Sequence, residues 1–90
     1  MKNDITEVMK PIFDSLNIDP IEFDYIESKN QFVTKESFEY SEDDPEAYYI
    51  VVKLYENTGT ILLGTSDGVK FYEQKILGQI SYDNDKWTIV

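Results

Sequence analysis

The sequence predicts an α+β domain, with an N-terminal amphipathic helix packed on an antiparallel sheet of about five strands and a possible short second helix near residues 34–42. Three observations carry this expectation. Ile5, Val8, Met9, Ile12, Phe13 and Leu16 recur at the three-and-four spacing of one helical face. From Ala47 onward the apolar residues become aromatic and β-branched, as pleated strands favour. Short clusters rich in Asn, Asp, Ser and Gly then separate those runs at hairpin spacing.

The helix has Asp4 as its expected N-cap and Glu7 three positions on, the pattern of a capping box. Pro11 deletes one backbone bond and crowds the preceding turn, yet the apolar stripe continues past it, so a kink is expected there and a helix end near Asn17, before Asp19-Pro20. From Ile21 the period becomes two: Phe23, Tyr25 and Glu27 share one face of a strand, with Glu22 and Asp24 on the wet side. Residues 31–40 read two ways. Phe38 and Tyr40 alternate like a strand, whereas Thr34, Lys35, Glu36 and Ser37 equally suit the cap and first turn of a short helix. Residues 41–46 form an acidic loop. Residues 47–55 form a strand that closes on Asn57-Thr58-Gly59, and Thr60 to Leu63 returns. Ser66-Asp67-Gly68 turns, Phe71 to Tyr82 makes a long strand, and Asp83-Asn84-Asp85 turns into Trp87 to Val90.

Ninety residues without a Pro-rich or Gly/Ser-rich linker make a single domain, residues 1–90, with a small core. The formal charge is −10, and it is unevenly placed: ten of the eighteen carboxylates lie between Asp19 and Glu46 against only Lys29 and Lys35. A single-sign stretch projects a field that recruits a basic partner. The absence of cysteine excludes a disulfide framework and a thiolate zinc site, and the charged start Met1-Lys2-Asn3-Asp4 lacks the apolar run of a signal peptide, so the chain reads as cytoplasmic. When free it is expected to be a monomer. No apolar run approaches the roughly 18 residues of a membrane span. With neither histidine nor arginine, the usual general base and the bidentate phosphate clamp are both missing.

Chemistry therefore gives way to binding. Asp83-Asn84-Asp85 has too short a continuation to be a calcium loop and reads as a turn. Glu36 and Glu39 could share a helical face, but no nucleophile accompanies them, so no catalytic, cofactor or metal role is assigned. Direct nucleic-acid binding fails because phosphates need cations. The bland reading of the acidic stretch is a solvated surface. Against it stands a ruler: same-face side chains on a strand repeat about every 6.7 Å, close to the spacing of phosphates along one DNA strand, and Glu22 with Asp24 fits.

The second half resembles the phage uracil-DNA glycosylase inhibitors, acidic proteins that mimic DNA. The likeness runs from Pro45-Glu46 through Val51 and Tyr55-Glu56, into Ile61-Leu62-Leu63, through Thr65-Ser66-Asp67, and on to Gln79, Ser81 and Lys86. It covers about half the chain; in the first half, Glu27-Ser28 is similar to the family's glutamate-serine pair on its edge strand. The resemblance implies one-to-one inhibition of a host enzyme through its basic DNA-binding groove, with no reaction, cofactor, nucleic acid or membrane involved. It implies that Glu27 and Ser28 meet phosphate-binding groups and that Glu36 and Glu39 stand for acids on a second helix. Val51, Leu62 and Leu77 would then line a pocket for an apolar side chain, with Asp67 near its edge. Uracil-DNA glycosylase is the expected target; a host defence nuclease, met by an anti-CRISPR or anti-restriction protein, and a non-inhibitory acidic interaction domain are the alternatives.

Overall fold

In the computed structural model, which describes residues 5–40, 43 and 46–90, the apolar stripe of the N-terminal segment forms α1 (Thr6–Ser15). Ile5, Met9, Ile12 and Phe13 are buried, and Val8 and Leu16 pack beside them. Pro11 sits within the helix on its exposed side, where water can satisfy the carbonyl it leaves unbonded. The expected cap, Asp4, lies outside the described residues. The helix ends where expected, in a Schellman arrangement: Asn17 is left-handed at φ 60° and donates to the Asp14 carbonyl at 3.0 Å, and Ile18 donates to Phe13 at 3.1 Å.

The rest of the architecture departs from expectation. Instead of a helix on a five-stranded sheet, the described residues form a six-stranded antiparallel sheet curled into a half-barrel, with one short α-helix. The strands are β1 (Phe23–Ile26), β2 (Gln31–Thr34), β3 (Tyr48–Tyr55), β4 (Thr58–Ser66), β5 (Phe71–Asp83) and β6 (Lys86–Ile89), ordered in space as in sequence. β1 and β6 are the edges.

The extra strand is β2, drawn from the ambiguous stretch. No helix forms over residues 35–40. Thr34 is buried, and its hydroxyl accepts the Ile50 amide at 3.2 Å where the β2–β3 ladder ends at Val33 opposite Val51. The chain bulges and rejoins at Phe38, whose amide and carbonyl pair with those of Tyr48 at 3.0 and 2.8 Å. Pairing with β3 satisfies backbone groups that a one- or two-turn helix would leave open at both ends, so the sheet wins.

Alternation divides the side chains between two faces. Phe32, Ile50, Val52, Leu54, Ile61, Leu63, Ile80 and Trp87 join the apolar stripe of α1 in the main core. The curl comes from β5, whose register against β4 shifts twice, between Ile61 and Leu62 and between Leu63 and Gly64. Gly64 lets that bend close, because a Cβ there would collide with the Tyr72 carbonyl and lie 2.6 Å from the Phe71 ring. Gly59 is no turn glycine, contrary to expectation. It is buried in β4, where a Cβ would stand 3.0 Å from Ile80 and Leu54 side chains, and the β3–β4 turn is Glu56-Asn57, with Glu56 at φ 54°. The last hairpin turns on Asn84 and Asp85, both left-handed at φ 53° and 63°.

Candidate functional site

Every described carboxylate of the acidic stretch (Asp19, Glu22, Asp24, Glu27, Glu36, Glu39, Asp43 and Glu46) is exposed; Glu42 and Asp44 lie outside the described residues. Three of them lie in or beside β1: Glu22, Asp24 and Glu27. Phe23 turns inward to meet Phe13, ring centroids 5.8 Å apart, so Glu22 and Asp24 are carried on the face away from α1. Lys35 stands between them, 3.3 Å from Glu22 and 3.9 Å from Asp24. With side chains 47–77 % exposed, these ion pairs are worth at most about 1 kcal/mol each, and they leave one uncompensated negative charge.

Glu27 and Ser28 are placed differently from expectation. β1 stops at Ile26, and Glu27–Lys29 forms a single 3₁₀ turn, so neither residue is on the strand itself. Asn30 closes that turn, and nothing in its sequence neighbourhood singled it out. It is left-handed at φ 51°, donates to the Leu54 carbonyl at 3.3 Å, accepts the Tyr25 hydroxyl at 2.7 Å, and returns its own amide to Glu27 at 3.2 Å. The signal available was residue type: Asn tolerates left-handed backbone far better than most side chains. Glu27 and Ser28 are thus exposed on a backbone turn closed by Asn30, beyond the end of the edge strand.

Glu36 and Glu39 flank the Phe38 bridge on an extended, bulged segment rather than on a helix. They lie at the opposite end of β1 from Glu27, because β1 and β2 are antiparallel and Lys35 pairs with Glu22. Asp67 is on that same rim. Its carboxylate accepts the Val69 and Lys70 amides at 2.8 and 2.7 Å and the Tyr72 hydroxyl at 2.9 Å. Those backbone bonds, then the phenol, hold its pKa below the usual carboxylate range, and the same contact raises that of Tyr72. A shallow depression of about 240 Å³ lies beside it, lined by Glu46, Ala47, Thr65, Ser66, Asp67 and Tyr72.

The three expected pocket residues are not brought together. Val51 and Leu62 face one another across β3 and β4, 1 % and 3 % exposed, outside the cluster that packs on α1. Leu77 packs against that cluster, on the other face. Sequence reasoning missed the residues that do accompany Val51 and Leu62: Val33 on β2 and Ile76 on β5 complete one cross-strand row, with Ile76 59 % exposed. Asp24 heads this row, opposite Val33. The far face therefore carries acid at its β1 edge and apolar side chains across its middle.

Among the described residues no group of three or more acids is disposed to hold a metal ion, and no helix is long and apolar enough to cross a membrane. No family model, curated protein or solved structure matches the chain.

Proposed function

We propose that this chain is a non-catalytic, DNA-mimicking inhibitor that binds one-to-one in the basic DNA-binding groove of a DNA-processing enzyme in the cytoplasm. The observation that carries the reading is the acidic edge: Asp24 in the edge strand and Glu22 just before it lie on the face away from α1, two residues apart, which on an extended strand is about 6.7 Å, and Glu27 follows on a 3₁₀ turn. A single-sign field speeds encounter with a cationic groove. The apolar row beginning at Val33 runs from that edge; Val51 and Leu62 within it are buried, and Ile76, 59 % exposed, is the member that offers a partner apolar contact.

Uracil-DNA glycosylase is the first target to test, on the likeness of residues 45–90. Residues 35–40 form no helix, and Val51 and Leu62 lie on the opposite face from Leu77, so the glycosylase is not favoured over a defence nuclease as target. Titration separates the two. A glycosylase inhibitor abolishes uracil excision at one-to-one stoichiometry, and a nuclease antagonist leaves excision untouched while blocking duplex cleavage. In whichever complex forms, Asp24→Lys and Glu27→Lys should each weaken binding by roughly 2–5 kcal/mol where the carboxylate meets buried cationic donors. Unchanged affinity for both variants would remove β1 from the interface, and with it the mimicry.

A further inference from the structure

We infer that the outer edge of β1 is a strand-addition site for an extended segment of a partner protein that bears lysine or arginine at alternate positions. The inference rests on the reading that the acidic stretch recruits a basic partner, and adds to it the backbone geometry of capture.

β1 pairs only with β2 among the described residues, and the four pairs run without a bulge from Phe23 opposite Thr34 to Ile26 opposite Gln31. The phase of the ladder shows which groups are open. Lys35 donates its amide to the Glu22 carbonyl at 2.9 Å, so Glu22 and Lys35 form a bonded pair. Bonded and non-bonded pairs alternate in an antiparallel ladder. Asp24 and Ile26 therefore bond inward to β2, and the N–H and C=O groups of Phe23 and Tyr25 point outward. Neither residue is proline, and β1 is the last strand on that side of the sheet among the described residues.

The side chains make the edge selective. Natural edges are guarded by charge, and two copies of this one would set Glu22 and Asp24 against their own kind. The same acids favour an incoming strand that places cations on their face. On the other face the newcomer meets Phe23, backed by Phe13, and Tyr25, whose ring lies 5.1 Å from Phe32 and whose hydroxyl is tied to Asn30. Apolar residues suit that side. The pattern read by this edge is thus basic and apolar residues in strict alternation, captured by main-chain bonds with side chains setting the choice. Lys35 and Lys29 are the cations already nearby, and the surrounding acids outnumber them.

The probe is a short peptide of alternating lysine and valine, added to the intact chain and followed by amide hydrogen exchange. Exchange at Phe23 and Tyr25 should slow roughly tenfold or more at saturation. A peptide with glutamate in place of lysine should give no slowing, and neither should a lysine peptide N-methylated along its bonding edge. Asp24→Lys, an exposed change, should weaken the lysine peptide about tenfold while leaving the far-ultraviolet spectrum intact. Equal binding of the N-methylated peptide, or protection confined to β6, would overturn strand addition. It would leave groove inhibition standing, since that requires side chains only; conversely, protection at Phe23 and Tyr25 with no effect on any DNA enzyme would sink the inhibitor reading and keep this one.

Discussion

Asp67 is exposed, yet three donors converge on its carboxylate, and the turn between β4 and β5 depends on them. Because folding lowers its pKa, the charged form is favoured in the native state. The stability this adds is complete above the carboxyl's unfolded value near ~4 and is lost as pH falls through the lower folded value. Asp67→Asn keeps an oxygen for the Val69 and Lys70 amides but removes the charge. The variant should therefore melt below the wild type at pH 7, and the gap should close as the pH is taken below ~4. Thermal melts across that range check it, and a gap that widens on acidification would contradict the bond pattern. The sequence placed the residue in the Ser66-Asp67-Gly68 turn, and the resemblance placed it at the rim of an apolar pocket. The hydrogen bonds tie it to the turn.

At the scale of elements, α1 and β3 to β6 were legible because their signals are local: a stripe at helical spacing, β-branched runs, and turn residues between them. β2 was not, since its four residues hold only two apolar side chains and run into a plausible helix cap. Its identity is settled by β3, fourteen or more residues away in sequence, through the Thr34 hydroxyl and the Phe38 bridge. Thr34→Val tests that account. It keeps the shape but leaves the buried Ile50 amide without its acceptor, and should cost about 1–3 kcal/mol in chemical denaturation. A neutral result would mean that water or a backbone carbonyl takes over, and that the hydroxyl does not hold the end of the ladder. The shared pocket was implied by the resemblance, which carries no information on the register of β5. The two bulges reassign Leu77 to the α1 side and leave Ile76 beside Leu62. A one-residue slip exchanges the faces of a strand, and bulges leave no dependable mark in a single sequence. The exposure of the acids, by contrast, was legible, because unpaired charge is too costly to bury.

For the whole molecule, repulsion among carboxylates and attraction to a cationic partner share one origin, so ionic strength should act on them in opposite senses. The described ion pairs, Lys10 with Glu7 and Lys35 with Glu22 and Asp24, are all at the surface and contribute little. Net repulsion from a charge of −10 is the larger electrostatic quantity. The Debye length falls from about 30 Å at 0.01 M salt to about 10 Å at 0.1 M. The molecule measures 41 × 27 × 19 Å, so screening over that interval separates charges at opposite ends of the sheet. Added sodium chloride should raise Tm by a few degrees over this range, and in the same buffers it should slow association with a basic partner far more than it speeds dissociation. Melting curves and stopped-flow binding on one set of solutions read both effects. A Tm that drops with salt would show that the surface pairs outweigh repulsion, and an association rate indifferent to salt would remove steering from the mechanism whatever the partner is.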